Sequence, residues 1–250
     1  MRPSRILSSL LLSLALPLAA HAGQLTVSAA ASLTDAFKEI GPRFEAARPG
    51  TTVRFNFAAS GALLQQISQG APADVFASAD QATMDRGMKQ NLLDTATRHD
   101  FAANSLVLIE PAQQGPEIRT LHDLNGPKVK RIAIGKVESV PVGAYTKQAL
   151  ETADLWPVLQ SKFVQGDSVR QVLDYVSRGE VDAGFVYRTD AALMGNKVKI
   201  VMTVTGHTPV TYPVAVVADS RNKAAARDFV DYLQGAQAQA ILARYGFSKP

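Results

Sequence analysis

Short apolar runs alternate along the chain with longer segments in which apolar residues recur every three or four positions. Runs of four to eight residues rich in valine, isoleucine and phenylalanine are typical of buried strands. The apolar runs predict nine strands, at residues 24–28, 52–57, 74–77, 106–109, 131–134, 162–164, 183–187, 198–204 and 213–217. The alternation of strands with helical segments predicts an α/β fold with largely parallel sheets.

Helical spacing is clearest in three segments between these strands. The three apolar stripes are Leu33, Ala36, Phe37 and Ile40; Leu63, Leu64 and Ile67; and Val169, Val172, Leu173 and Val176. Residues 223–246 predict two further helices, with Gly235 and Gly246 as stop signals. Residues 110–117 have the proline and glycine content of a loop, but no linker or internal repeat marks a domain boundary.

Residues 1–22 have the three parts of a secretory signal peptide. Arg2 and Arg5 precede the apolar run ILSSLLLSLALPLAA, and Ala20-His21-Ala22 forms a small-x-small cleavage site. We therefore expect export, with cleavage after Ala22. An N-terminal membrane anchor is the alternative, but the apolar run is short and contains Pro17. A lipid anchor is not expected, because the chain has no cysteine.

The charge and the cysteine content limit the kinds of protein that the mature chain could be. Its 228 residues would carry 24 basic and 22 acidic side chains, a net charge of +2, with the two signs interspersed. Such a distribution lacks the basic patch of a nucleic-acid-binding protein. A chain of this length buries enough apolar surface to fold without disulfides. We expect a soluble, exported protein of one or two domains.

Sequence motifs for cofactors, metals and catalysis are mostly missing. The chain has no G-x-G, no P-loop, no G-x-S-x-G and no close pair of histidines. Ser220 and Lys223 match S-x-x-K, but the motifs that accompany it in serine enzymes are absent. These gaps argue against a cofactor and against catalysis. A Ser-His-Asp set assembled from distant positions stays open at this point.

Small residues occupy four junctions between a predicted strand and a predicted helix. The junctions are Ala31-Ser32-Leu33, Ala59-Ser60-Gly61, Pro141-Val142-Gly143 and Asp167-Ser168-Val169. A helix begins with unpaired N–H groups and the positive end of its dipole, so small residues there let an anion approach the backbone. Each serine could also be only a helix cap, and Pro141 only a first-turn proline. Together the four junctions favour an anion site, because ligands of α/β proteins bind at the carboxyl ends of strands.

Seven blocks of sequence, in order and at consistent spacing, point to a family. They are AAASLTDAF (29–37), FAASGAL (57–63), GAPADVFASADQATMD (70–85), VPVGAY (140–145), GFVY (184–187), YPVAVV (212–217) and RYGF (244–247). With these blocks the chain resembles the periplasmic molybdate-binding proteins of ABC transporters over nearly all of its mature length.

The resemblance implies a type II periplasmic binding fold, with two α/β lobes joined by two crossover strands. The crossovers would lie near residues 104–109 and 212–217. Lobe I would comprise residues 23–104 and 216–250, and lobe II residues 105–215. The second lobe would thus be inserted in the first, which explains why no linker marks the boundary.

The same resemblance implies the ligand groups. They are the hydroxyls of Ser32, Ser60 and Tyr187 and the backbone N–H groups of Val142 and Val169, with the N–H groups of the two serines assisting. Relatives often have a serine before the second ligand serine, where this chain has Ala59. Some relatives surround the metal with carboxylates, which Val142 and Val169 cannot supply, so molybdenum would be bound only as its oxyanion, without protein ligands to the metal.

The implied function is high-affinity binding of molybdate or tungstate in the periplasm by a monomer, without cofactor or catalysis, and delivery to a membrane permease. Two alternatives remain at this point. One is a sulfate- or thiosulfate-binding protein of the same architecture. The other is an exported hydrolase with Ser32 or Ser60 as nucleophile, which needs a base within reach of the serine.

Overall fold

The computed structural model describes residues 23–250. The predicted signal peptide, residues 1–22, lies outside the described residues. The strands of the described part are β1 (Gly23–Ala30), β2 (Thr51–Ala58), β3 (Val75–Ala77), β4 (His99–Asn104), β5 (Leu106–Pro111), β6 (Ile132–Gly135), β7 (Phe163–Gly166), β8 (Ala183–Tyr187), β9 (Val198–Thr203) and β10 (Val210–Val216). None of the helices in this part of the chain is both long enough and apolar enough to span a bilayer.

Helices connect most of these strands and cover both sheets. They are α1 (Thr34–Ala47), α2 (Ser60–Ser68), α3 (Gln81–Lys89), α4 (Pro141–Thr152), α5 (Trp156–Leu159), α6 (Val169–Ser177), α7 (Arg188–Leu193), α8 (Lys223–Gln234) and α9 (Ala236–Arg244). The three apolar stripes seen in the sequence are on the buried faces of α1, α2 and α6, except that Leu33 is buried just before α1 begins. The two C-terminal helices are α8 and α9, as predicted.

The strands form two five-stranded sheets, in the orders β2-β1-β3-β10-β4 and β7-β6-β8-β5-β9. In both orders the strand in second place, β1 or β6, is flanked by two parallel neighbours. The core of the first lobe contains packed aromatic side chains. Among them, Phe44 and Phe229 meet edge to face with ring centroids 5.1 Å apart. The predicted α/β architecture with two lobes of type II is confirmed.

The sheets are mixed and not largely parallel, which corrects the expectation from the sequence. Strand β10 is antiparallel to both β3 and β4, and β5 is antiparallel to both β8 and β9. These two strands enter each sheet directly from the other lobe and therefore run against their neighbours. Alternation with helices indicates parallel pairs between successive βα units, but it carries no information on strands that arrive from a crossover.

Strand β4 has no counterpart among the predicted strands. Its sequence, HDFAAN, contains no β-branched residue, and only Phe101 and Ala102 of it are buried. Pairing with β10 makes it a strand, since β propensity depends on the neighbours a segment meets in the sheet.

Two short connections join the sheets. Ser105 alone separates β4 from β5, and residues 204–209 separate β9 from β10. Strand β10 belongs to the first sheet over its whole length, whereas the expected division placed residues up to 215 in the second lobe. Sheet membership therefore places the return to the first lobe before residue 210.

Candidate functional site

A small cavity lies between the two lobes, where strands of both sheets end. It is lined by Ala30, Ala31, Ser32, Ala59, Ser60, Ala79, Val140, Pro141, Val142, Val169 and Tyr187. The five residues that the resemblance implies as ligand groups all line this one cavity. Its volume is about 10 Å³, far below the ~300 Å³ or more of pockets for organic ligands.

Ser60 is the first residue of α2 and is completely buried. Its hydroxyl does not cap the helix; instead Oγ accepts a hydrogen bond of 3.0 Å from the backbone N–H of Ala79. Because this bond occupies the oxygen as an acceptor, the hydroxyl proton of Ser60 remains available for a group in the cavity.

Ser32 lies in a short 3-10 helix, Ala31–Leu33, that leads from β1 into α1. No side chain caps either helix start, so Ser32 is not the helix cap that it could have been from the sequence. The Ser32 hydroxyl lies 3.1 Å from Tyr212 Oη, and the side chain is 3% exposed. Like Ser60, Ser32 lines the cavity with a hydroxyl that a second protein group contacts.

Tyr187 ends β8 and lies next to the same cavity with 1% of its surface exposed. Within residues 23–250 its hydroxyl has no hydrogen-bond partner. A buried hydroxyl without a partner costs about 1–3 kcal/mol, so a polar group in the cavity would relieve this cost. Burial raises the pKa of Tyr187 well above its usual value, and the hydroxyl is therefore a neutral donor.

Val142 and Val169 bring backbone groups to the cavity from the second lobe. Val142 follows Pro141 at the start of α4, and Val169 is the first residue of α6. N–H groups in the first turn of a helix have no partner within the helix, and the helix dipole makes them attractive to an anion. Ser168 caps α6 by accepting a bond of 3.2 Å from the N–H of Gln171, so the cap interpretation holds for this serine alone.

Among the described residues, none that lines the cavity has a charged side chain. Arg170 follows the cavity residue Val169 and pairs with Asp35 Oδ2 at 2.8 Å and with Asp190 Oδ1 at 2.6 Å. Asp190 is fully buried, and burial raises the pKa of its carboxyl to about 6 against the opposing effect of Arg170. The charge of Arg170 is thus directed at two carboxylates.

The pair between Arg170 and Asp35 joins the two lobes, because α6 belongs to the second and α1 to the first. A further contact of this kind is the bond of 3.0 Å from the N–H of Gly61 to the carbonyl of Ser139. The lobes are therefore closed on one another around the cavity.

Comparison with known proteins places the chain in a family. A model of the bacterial extracellular solute-binding proteins matches residues 25–248. The chain belongs to that family. Its similarity to the molybdate-binding protein ModA of Escherichia coli is 41% identity over 237 residues, covering 92% of this chain and 90% of the relative. The resemblance seen in the seven blocks is thus confirmed.

Solved structures of other solute-binding proteins share the fold. The periplasmic molybdate-binding protein of Azotobacter vinelandii is 25% identical and superposes with a TM-score of 0.78, covering 90% of this chain and 99% of its own. The sulfate-binding protein SubI of Mycobacterium tuberculosis superposes with a TM-score of 0.81, covering 91% of this chain and 87% of its own. At 20% identity this second likeness shows the fold alone.

Several residues around the cavity were not identified from the sequence as parts of a site. Ala79 and Tyr212 contact the two serines, and both lie in blocks that carry the resemblance, ASAD within 70–85 and YPVAVV. The blocks were a signal that these positions matter, but they did not show which serine each one contacts. The pairing of Arg170 with Asp35 and Asp190 had no signal in the sequence.

Proposed function

We propose that this solute-binding protein binds molybdate or tungstate as an intact dianion between its two lobes and delivers it to the permease of an ABC transporter. The observation that carries the proposal is the set of groups lining the cavity: hydroxyls and helix N-termini, without a charged side chain among the described residues. The similarity to molybdate-binding proteins supports the choice of anion.

Seven neutral donors would surround the anion. They are the hydroxyls of Ser32, Ser60 and Tyr187 and the backbone N–H groups of Ser32, Ser60, Val142 and Val169. Each hydrogen bond to a charged group is worth about 1.5–3 kcal/mol, and the dipoles of α2, α4 and α6 add to them. Binding therefore needs no counter-charge in the cavity.

A site made only of donors also selects against protonated anions. Phosphate carries a proton at neutral pH, and that proton would face another donor without an acceptor. Sulfate is fully ionised like molybdate, so cavity size must separate these two anions. On this hypothesis the protein works as an exported monomer, and hinge bending at the two connections between the lobes closes the cleft on the anion.

A thermal-shift panel tests the ligand. The mature protein is titrated with molybdate, tungstate, sulfate and phosphate, and a ligand present at a hundred times its Kd adds about 2.7 kcal/mol of stability. Molybdate and tungstate are expected to raise the Tm. A Tm raised only by sulfate would replace the proposal by a sulfate-binding function, and no rise with any of the four would refute an anion-binding role.

Tyr187→Phe tests the site. The hydroxyl that is removed bonds to no described residue, so stability without ligand should stay the same or rise. Loss of one bond to a dianion should weaken molybdate binding by roughly tenfold or more in titration calorimetry. Tyr145→Phe is the matched control, because Tyr145 packs edge to face on Tyr187, with ring centroids 6.5 Å apart, but does not line the cavity. Equal affinity in Tyr187→Phe and the control would remove Tyr187 from the site.

A further inference from the structure

Behind Ser32, away from the cavity, a chain of hydrogen bonds leads to the connection between the lobes. Asn104 is the last residue of β4, next to Ser105, and Tyr212 lies in β10, the strand that returns from the second lobe. Asn104 Nδ2 lies 3.2 Å from Tyr212 Oη, and Tyr212 Oη lies 3.1 Å from Ser32 Oγ. The Tyr212 side chain is completely buried.

The direction of each hydrogen bond follows from its neighbours. The N–H of Ser105 donates to Asn104 Oδ1 at 2.9 Å, which fixes the orientation of the amide group. Asn104 Nδ2 is then the donor to Tyr212 Oη and, at 2.9 Å, to Thr189 Oγ1. The hydroxyl proton of Tyr212 has one acceptor among the described residues, Ser32 Oγ, so Tyr212 donates and Ser32 accepts.

The result is the same at both serines of the cavity. Ser60 Oγ accepts from the N–H of Ala79, and Ser32 Oγ accepts from Tyr212. A serine hydroxyl whose oxygen already accepts a hydrogen bond from the protein keeps its own proton for donation to a ligand. Without that bond the hydroxyl rotates, and it can accept a hydrogen bond from a ligand as readily as it can donate one.

We propose that Tyr212, held by Asn104, is a positioning residue that makes the Ser32 hydroxyl a donor to the bound anion and thereby helps to reject protonated oxyanions. The inference rests on the proposed function, since it concerns the same cavity and the same ligand. It assigns part of the discrimination against hydrogen phosphate to a residue that does not line the cavity.

A double-mutant cycle of Tyr212→Phe and Ser32→Ala tests the inference. Phenylalanine keeps the edge-to-face packing of the ring on Phe247, whose centroid lies 5.3 Å away. Tyr212→Phe should weaken molybdate binding about three- to tenfold when Ser32 is present and less than twofold in the Ser32→Ala background. Titration calorimetry at neutral pH measures both, and unfolding without ligand confirms that each variant is folded.

Competition by phosphate supplies a readout that a loss of stability does not change. The ratio of the phosphate Kd to the molybdate Kd should fall at least threefold in Tyr212→Phe, because a Ser32 hydroxyl that rotates accepts a hydrogen bond from the hydroxyl of hydrogen phosphate. Thr189→Val is the matched control, since it removes the other acceptor of Asn104 and should leave the ratio unchanged.

Two outcomes would overturn the inference. One is an equal loss of molybdate affinity from Tyr212→Phe with and without Ser32, which indicates a structural tyrosine. The other is an unchanged ratio of the two dissociation constants. Failure of the unmodified protein to bind molybdate at all would instead refute the proposed function, so the two failures are distinguishable.

Discussion

Gly61 offers a test of lobe closure, because a substitution there should stabilise the free protein and weaken ligand binding. It lies in the first turn of α2, in the first lobe, and its N–H donates to the carbonyl of Ser139 in the second lobe at 3.0 Å. A Cβ at this position would lie 2.6 Å from the Ser139 oxygen and 2.8 Å from its Cα. Both are backbone atoms that cannot rotate away.

Gly61→Ala is expected to weaken molybdate binding and to stabilise the free protein. Overpacking of this kind costs typically about 1–3 kcal/mol, which corresponds to a loss of molybdate affinity of roughly 5- to 150-fold. On the proposed hinge bending the lobes open in the free protein and the contact is absent there, while alanine in a helix is about 0.5–1 kcal/mol more favourable than glycine. The Tm without ligand should therefore rise slightly.

Titration calorimetry with molybdate and thermal unfolding without ligand measure the two effects. Ser68→Ala is the matched control, because Ser68 lies exposed at the end of the same helix and, among the described residues, its hydroxyl donates to the carbonyl of Gln65 in that helix. It should change the Tm slightly and leave the affinity unchanged. If Gly61→Ala bound molybdate as tightly as the unmodified protein, the approach of Gly61 to Ser139 would play no part in binding.

Two further substitutions separate the contributions of single side chains. Ser60→Ala should weaken molybdate binding by roughly tenfold or more and also lower stability without ligand by about 1–3 kcal/mol, because the N–H of Ala79 loses its acceptor; unchanged affinity in calorimetry would remove Ser60 from the site. Burial raises the pKa of Asp190 to about 6, above the ~3.9 of an unfolded chain, so its contribution to the free energy of unfolding falls as the pH rises through this interval. Asp190→Asn removes this effect, and the stability of the unmodified protein relative to the variant should drop by roughly 2 kcal/mol between pH 4 and pH 7 in denaturant unfolding; a constant difference would show that the carboxyl does not titrate in this range.

The local pattern of apolar residues was sufficient to predict most of the helices and strands. Apolar runs located nine of the strands to within a few residues, since buried central strands such as β8 consist of little else. Strand β4 was not predicted, because pairing with β10, and not its composition, makes it a strand. The antiparallel placement of β5 and β10 was not predicted either, because it depends on how the chain crosses between the lobes.

The candidate site shows the same limit. Small residues at helix starts, together with the family resemblance, named five positions that the structure brings to one cavity. The sequence could not separate a cap from a ligand group, and only Ser168 turned out to be a side-chain cap. The partner of Ser32 lies 180 residues away at Tyr212, and no local signal reports a contact over such a distance.

The position of β10 also affects the order in which the lobes can fold. In the first sheet β10 lies between β3 and β4, and β4 pairs with no other strand of the described chain. The sheet of the second lobe uses only residues between 106 and 203, so it is complete before β10 has been synthesised or exported. The first sheet must wait for residues 210–216, and closing it requires pairing across more than a hundred residues, which is slow. Until then the edges of β3 and β4 are unpaired, and the first lobe is the part of a newly exported chain that remains open to aggregation.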